Sequence, residues 1–208
     1  MRLCPGPMAT IYIFGFEPFD GRGRNASWEA VQEMPVQIGK TKLAKHQLPV
    51  RWGEPFPAVK GAMKRTKKPA AIFAVGEAAR KTISVETWGY NERATRPDNH
   101  GQMPPQSVIH PETTNRLPVP WNPTPVVTSL AERYPMELST DPGRFLCNEL
   151  IYELYREYAG LEGAFPVCFI HVPLLGTKMS GPDGEFVATG ATLGKMLTEF
   201  VSKSVKRH

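Results

Sequence analysis

The chain has 208 residues, 41% hydrophobic and 22% charged, an ordinary globular composition long enough for one domain with a sizeable core. No run approaches the roughly 18 apolar residues of a membrane span, and residues 1–7 lack the apolar stretch of a secretory signal, so no membrane association is expected. The net charge of +5 and pI near 9.2 invite a nucleic-acid reading, but the densest basic runs, 64–68 and 203–207, fall at expected helix ends, where cations suit the dipole, and no zinc-ligand or base-stacking signature accompanies them.

Residues 1–7 are expected to form a poorly ordered extension ahead of a single domain over 8–208. Residues 10–14 read as a short apolar strand, 16–24 as a Gly-rich loop, and 27–33 as the start of a helix with Trp28 and Val31 on one side. Asn25 and Ser27 match a glycosylation sequon, but one of them reads better as the helix cap. Residues 42–50 supply a strand, 55–64 a helix, and 70–75 a fully apolar strand that stops at Gly76. Another strand is expected over 82–90. The stretch 91–125, rich in Pro, Asn and His and without periodicity, reads as a functional loop or lid, or as disordered. Helix returns over 126–133 and 143–158, strand over 165–171, and helix over 185–206, where Phe186, Leu193, Met196, Leu197, Phe200 and Val201 recur at helical spacing. This alternation predicts an α/β fold, a single-domain three-layer α/β/α arrangement with a mostly parallel twisted sheet flanked by helices.

Three side chains suggest chemistry. Cys147 follows the turn Asp141-Pro142-Gly143, which places it near a helix N-terminus, where free backbone N–H groups and the dipole favour thiolate. His171 ends a buried apolar run that enters Val172-Pro173, so it sits at a strand end, where open α/β sheets carry their sites. Together they suggest a thiol nucleophile and its base. In the run 83–91, Ser84, Glu86 and Trp88 share one strand face, and Glu86 is suited to accept from the His171 imidazole and hold its tautomer. Cys168, three residues before His171, points to the opposite strand face and reads as a buried apolar residue. The spacing of Cys4, Cys147 and Cys168 suggests no disulfide framework, so a reducing, cytoplasmic compartment is expected. His46, His100, His110 and His208 lack metal-ligand spacing, so no metal is expected.

Four blocks extend this reading. Gly15-Phe16-Glu17-Pro18-Phe19-Asp20-Gly21 with Asn25-Ala26-Ser27-Trp28-Glu29, the run 83–91 with Arg96-Pro97-Asp98-Asn99, Gly143-Arg144-Phe145-Leu146-Cys147-Asn148, and Phe169-Ile170-His171-Val172-Pro173 occur in this order. In sequence and order they resemble the pyroglutamyl peptidase I (pyrrolidone carboxyl peptidase) family. The resemblance implies a cytosolic cysteine peptidase that removes an N-terminal pyroglutamyl residue from peptides, on an α/β/α fold, without metal or cofactor, commonly as a homo-oligomer (dimer or tetramer). It implies Cys147 as nucleophile, His171 as base and then acid, Glu86 as the group orienting His171, and Arg96 near the oxyanion. Phe16 and Phe19 resemble the aromatic walls of the pyroglutamyl pocket, where an apolar slot admits a neutral lactam and excludes a charged N-terminus.

The chain departs from the family pattern at Gly76-Glu77-Ala78-Ala79-Arg80, one residue shorter than usual, with Glu77 where a glutamine is associated with the substrate pocket. An extra carboxylate there is expected to weaken lactam binding or to favour a basic next residue. Pro142 replaces a small residue and stiffens the turn before Cys147. These departures frame the alternative of a catalytically weak or inactive homologue that acts as a binding or regulatory protein.

Overall fold

In the computed structural model, which describes residues 9–64, 66, 69–160 and 165–206, the elements follow the expected alternation. They run β1 (Thr10–Phe16), α1 (Ala26–Glu33), β2 (Gln37–Ile38), β3 (Thr41–Leu48), α2 (Pro55–Met63), β4 (Ala71–Ala78), β5 (Ile83–Glu86), β6 (Trp88–Tyr90), β7 (Arg116–Pro118) and α3 (Thr124–Ala131), then β8 (Met136–Ser139), α4 (Leu146–Tyr158), β9 (Val167–Pro173), β10 (Lys178–Gly181), β11 (Gly184–Val187) and α5 (Gly190–Lys206). The expected extension 1–7 lies outside the described residues, as do Cys4, Arg65, Lys67, Lys68, Arg207 and His208.

One sheet has the order β2-β3-β1-β4-β9-β5-β8. The pairs β1–β3, β1–β4, β4–β9 and β5–β8 are parallel, while β2–β3 and β5–β9 are antiparallel. The near-continuous apolar runs of β1, β4 and β9 are buried on both faces, as parallel strands between helix layers must be. Ile11, Phe73 and Ile170 pack with α1, α3 and α5, and Phe14, Ile72 and Phe169 pack on the other side with α2 and α4. Removing each of these large side chains from water contributes about 1.5–3 kcal/mol. The sequence expectation of a three-layer α/β/α arrangement holds.

β4 runs on through Gly76 to Ala78 and α4 starts at Leu146 rather than 143, and three larger differences from the sequence reading each have a local reason. The strand expected over 82–90 divides at Thr87: β5 stays in the main sheet, while β6 leaves it to pair with β7 as a separate ribbon. Trp88 therefore does not share a sheet face with Ser84 and Glu86. The backbone of Thr87 is the junction, its N–H donating to Ser139 and its carbonyl accepting from Val119. The helix expected over 185–206 begins only at Gly190. Phe186 belongs to a hairpin formed by β10 and β11, turned at Gly184 (φ 117°), and its ring meets Tyr134 at 5.8 Å. Its apolar spacing with the helix is fortuitous, because Thr189 caps α5 by accepting the Thr192 N–H at 3.1 Å. Finally, 91–125 is anchored rather than disordered. Asn91 exchanges side-chain hydrogen bonds with the backbone of His110, and the buried Asn148 of α4 holds Tyr90 and Glu92 through their backbone groups.

Candidate active site

The C-terminal ends of β1, β4 and β9 open at one edge of the sheet, the usual position for a site in an open α/β fold. Parallel pairing aligns Gly76 of β4 with His171 of β9. Opposite this edge, the Asp141-Pro142-Gly143 turn leads into α4. Gly143 adopts φ 76°, a left-handed conformation that glycine takes without strain, and Asp141 accepts its N–H at 3.1 Å. Cys147 is the second residue of α4, and the bond from Glu149 N–H to Phe145 C=O at 3.2 Å closes the first helical turn around it. The thiol lies directly against β4. A Cβ on Gly76 would stand 2.9 Å from Cys147 Sγ and 2.8 Å from the Phe169 ring, so only glycine allows this approach.

The helix N-terminus does not make this thiol acidic. Burial, with the negative charges of Glu86 and Glu77, pushes the Cys147 thiol up to about 12. Arg80 and the backbone N–H of Cys147 act in the opposite direction and do not outweigh them. The expectation of a readily ionised thiol is thus corrected, because desolvation and the two nearby carboxylates outweigh Arg80 and the Cys147 N–H.

His171 and Glu86 meet as expected. Antiparallel pairing of β5 with β9 sets Ser84 opposite His171 and Glu86 opposite Phe169, which makes Glu86 and His171 diagonal neighbours. His171 Nδ1 is 2.7 Å from Glu86 Oε1, and both residues are buried. With Nδ1–H donating to the carboxylate, Nε2 carries the ring lone pair. His171 and Cys147 border one cavity of about 810 Å³. Cys168 faces away from it, in the core cluster with Ile170.

A smaller cavity of about 260 Å³ adjoins Cys147, walled by Phe16, Phe19, Phe145 and Leu146. Phe16 is buried against Phe169 at 6.4 Å, and its N–H donates to Ser27 Oγ at 3.0 Å. The Phe19 ring stands 6.1 Å from that of Phe145. Glu77 borders both cavities, yet its charge is already engaged. One oxygen accepts the Ala26 N–H at the start of α1 at 2.7 Å, and the other lies 2.7 Å from Arg22. Burial raises the Glu77 carboxyl, with Ala26 N–H and Arg22 opposing.

Arg96 sits at the mouth of the larger cavity, its exposed guanidinium 4.7 Å above the Phe145 ring and 3.3 Å from Asp20. Its segment is tied down, with Arg96 C=O accepting from Trp52 Nε1 and Asn99 Nδ2 donating to Glu17 and Pro18. The sequence reading missed Phe145 as a wall and Arg22 and Arg80 as partners of the two buried carboxylates. Arginine alone carries no pattern, and only its proximity to a buried acid in the fold marks it. Among the described residues, no group of three or more His, Cys, Asp or Glu is placed to hold a metal ion, and no helix is long and apolar enough to cross a membrane.

Comparison with known proteins fits this arrangement. A family model described as pyroglutamyl peptidase matches residues 9–188. The pyrrolidone-carboxylate peptidase of Klebsiella pneumoniae (strain 342) is 32% identical over 211 residues, covering 96% of this chain and 94% of the relative. That of Enterobacter sp. (strain 638) is 34% identical over 179 residues, covering 81% and 79%. The crystal structure of pyroglutamyl peptidase I from Bacillus amyloliquefaciens superposes with a TM-score of 0.81 at 26% identity, covering 95% of this chain and 97% of that one. A variant of pyrrolidone carboxyl peptidase from Pyrococcus furiosus, at 23% identity and a TM-score of 0.80, shares the fold over 95% of this chain and 99% of its own.

Proposed function

Because the chain belongs to the pyroglutamyl peptidase family, we propose that it is a cysteine peptidase hydrolysing the bond after an N-terminal pyroglutamyl residue, with Cys147 as nucleophile. The observation that carries this reading is that His171, on the wall of the cavity that Cys147 borders, is held from behind by the buried Glu86 at 2.7 Å. At rest the thiol is protonated. As substrate binds, His171 Nε2 takes the Sγ proton while sulfur attacks the carbonyl carbon, and a tetrahedral oxyanion forms. Its charge develops beside the amides of the first turn of α4, with the cationic Arg96 at the cavity mouth. His171 then gives the proton to the departing amine as the C–N bond breaks, leaving a thioester. Water attacks the thioester with His171 as base, releasing pyroglutamate and restoring the thiol. Glu86 keeps the imidazole in the Nδ1–H tautomer throughout and stabilises the imidazolium.

Selectivity follows from the smaller cavity. Its walls of Phe16, Phe19 and Phe145 suit a neutral lactam, and an ammonium-bearing N-terminus would lose hydration there without a compensating partner. Glu77, held by Ala26 N–H and Arg22, lines the same cavity without presenting a free charge. Family membership and the unpaired thiols of Cys147 and Cys168 support a cytoplasmic enzyme, acting as a homo-oligomer on peptides with N-terminal pyroglutamate.

The test is release of a chromogenic amine from a pyroglutamyl amide, beside the corresponding proline amide, with and without a thiol alkylating agent. Turnover of the pyroglutamyl substrate alone, abolished by alkylation, is the expected result. Absence of turnover in folded protein would overturn the reading.

A further inference from the structure

Glu86 is fully buried, and a buried carboxylate is tolerated only with its charge compensated. Two donors converge on its Oε1: His171 Nδ1 at 2.7 Å and Arg80 Nη1 at 2.8 Å. Oε2 has no hydrogen-bond partner among the described residues, so this single oxygen carries the whole interaction. A neutral imidazole supplies no counter-charge, and Arg80 supplies a full one. The other arm of the same guanidinium, Nη2, donates to the Asp141 carbonyl at 2.6 Å. Asp141 opens the turn through Gly143 that delivers Cys147 to the N-terminus of α4. One side chain therefore grips both the acid behind His171 and the turn ahead of the thiol. These two features lie on different elements, β5 and the loop before α4.

The guanidinium is well placed for both tasks. Arg80 lies just past the end of β4, where its N–H donates to Ala78 C=O at 2.8 Å in a tight turn, and its side chain is only 24% exposed. Its planar fork reaches two acceptors in fixed directions, which the single ammonium of lysine cannot do. Partial burial keeps the ion pair from being screened as a surface pair would be.

We propose that Arg80 is a positioning residue, which lends Glu86 a counter-charge, keeps it aimed at His171 and holds the 141–143 turn in register with them. This inference rests on the peptidase reading for its activity readout, but its geometric content can be measured without turnover. In a protein without Arg80, Glu86 keeps a buried charge with no compensation. The carboxylate is then expected to swing away from this position, and the Nδ1–H bond weakens.

The experiment uses the full chain with Arg80→Gln, Arg80→Lys, Glu86→Gln and the Arg80→Gln/Glu86→Gln double variant. Each is assayed for kcat and KM on a pyroglutamyl amide and examined by proton NMR for the deshielded Nδ1–H resonance of His171. Arg80→Gln should lower kcat about 10–100-fold with KM changed less than about 3-fold, and the low-field resonance should shift or vanish. Arg80→Lys, which retains a charge beside Glu86, should recover part of the loss. In the Glu86→Gln background, removing Arg80 should cost only about 3-fold, because Glu86 no longer depends on it and only its hold on the Asp141 carbonyl is lost. An equal cost in both backgrounds would show a merely structural role and overturn the proposal, as would an unaltered resonance in Arg80→Gln. If Arg80→Gln does not fold, Arg80→Lys decides. Folded Arg80→Lys with reduced kcat and a shifted resonance supports the proposal, and unchanged kcat and resonance overturn it. A wild-type protein that shows the resonance but hydrolyses nothing would sink the peptidase reading alone, and loss of the resonance in Arg80→Gln would still support the positioning role.

Discussion

Glu86 and His171 are held 2.7 Å apart by strands that run antiparallel within a mostly parallel sheet. The diagonal register of β5 on β9 places both side chains on the face towards α4, while Val85 and Ile170 point into the opposite core. The register is further secured from α4, where Tyr155 Oη donates to the Glu86 carbonyl at 2.6 Å. A one-residue slip of β5 would send Glu86 to the other face, so sheet pairing itself fixes the contact.

Glu86→Gln should lower kcat by about 10²–10⁴-fold while leaving KM within a few-fold, because an amide can present its NH₂ to Nδ1 and select the wrong tautomer. Cys147→Ala should remove more activity than this. Steady-state kinetics of the two variants checks the order, and equal losses would argue that Glu86 does more than orient the ring.

The thiol should titrate late. With Cys147 raised from 9.0 to about 12, its alkylation rate in the free enzyme should keep climbing above pH 9 rather than level off near neutrality. The folded state retains the proton longer than the unfolded chain does. The stabilisation from this group is thus complete below pH 9 and is lost as pH rises towards 12. Rate measurements with a small alkylating agent across pH, with Cys147→Ser as the blank, test this, and a plateau below pH 7 would contradict it.

Gly76→Ala should impair both activity and stability. The added methyl would meet Cys147 Sγ at 2.9 Å and the Phe169 ring at 2.8 Å. Both neighbours are held by a helix start or a central strand, so the cost should be about 1–3 kcal/mol. Thermal unfolding reads the stability change, and kcat reads the displaced sulfur.

Glu77→Gln should leave KM for a neutral pyroglutamyl amide within about 3-fold, since Ala26 N–H keeps an acceptor and the lost ion pair is only partly buried. Glu77→Ala would instead leave that N–H buried without a partner, costing about 1–3 kcal/mol. A large improvement in KM on Glu77→Gln would mean that the carboxylate opposes lactam binding after all.

Asp98 organises the segment that presents Arg96. Burial disfavours its charge, but N–H groups of Gln102, His100 and Trp52 outweigh this and hold the carboxyl below its ordinary range. A lowered carboxyl contributes stability above its unfolded value, near 3.8, and loses it as pH falls through the folded one. Asp98→Ala should raise KM several-fold and flatten the acid limb of the stability curve, which denaturation between pH 2 and 5 would register.

Much of this molecule was legible before folding. The near-continuous apolar runs of β1, β4 and β9 dictate a buried parallel sheet, because strands sandwiched between helices must be apolar on both faces. Residue order also marked Cys147 after a Gly143 turn, His171 at a strand end and Glu86 on a short strand, since turns, caps and strand ends are local properties. What only the tertiary structure decided are relations between distant segments. Whether Cys147 is acidic depends on its burial and on the charges of Glu86 and Glu77 nearby, and these outweigh Arg80 and the Cys147 N–H. Phe186, apolar at helical spacing, joined a hairpin because Tyr134 and Gly184 offered a better place for it than another turn of α5. Arg80 has no local signature. Its role exists only because the β4–β5 loop passes between a buried carboxylate and the Asp141 carbonyl, 61 residues away in sequence. Short-range steric and hydrogen-bonding preferences act along the chain and can be read there. Desolvation and charge compensation depend on three-dimensional surroundings, which exist only once the layers have closed.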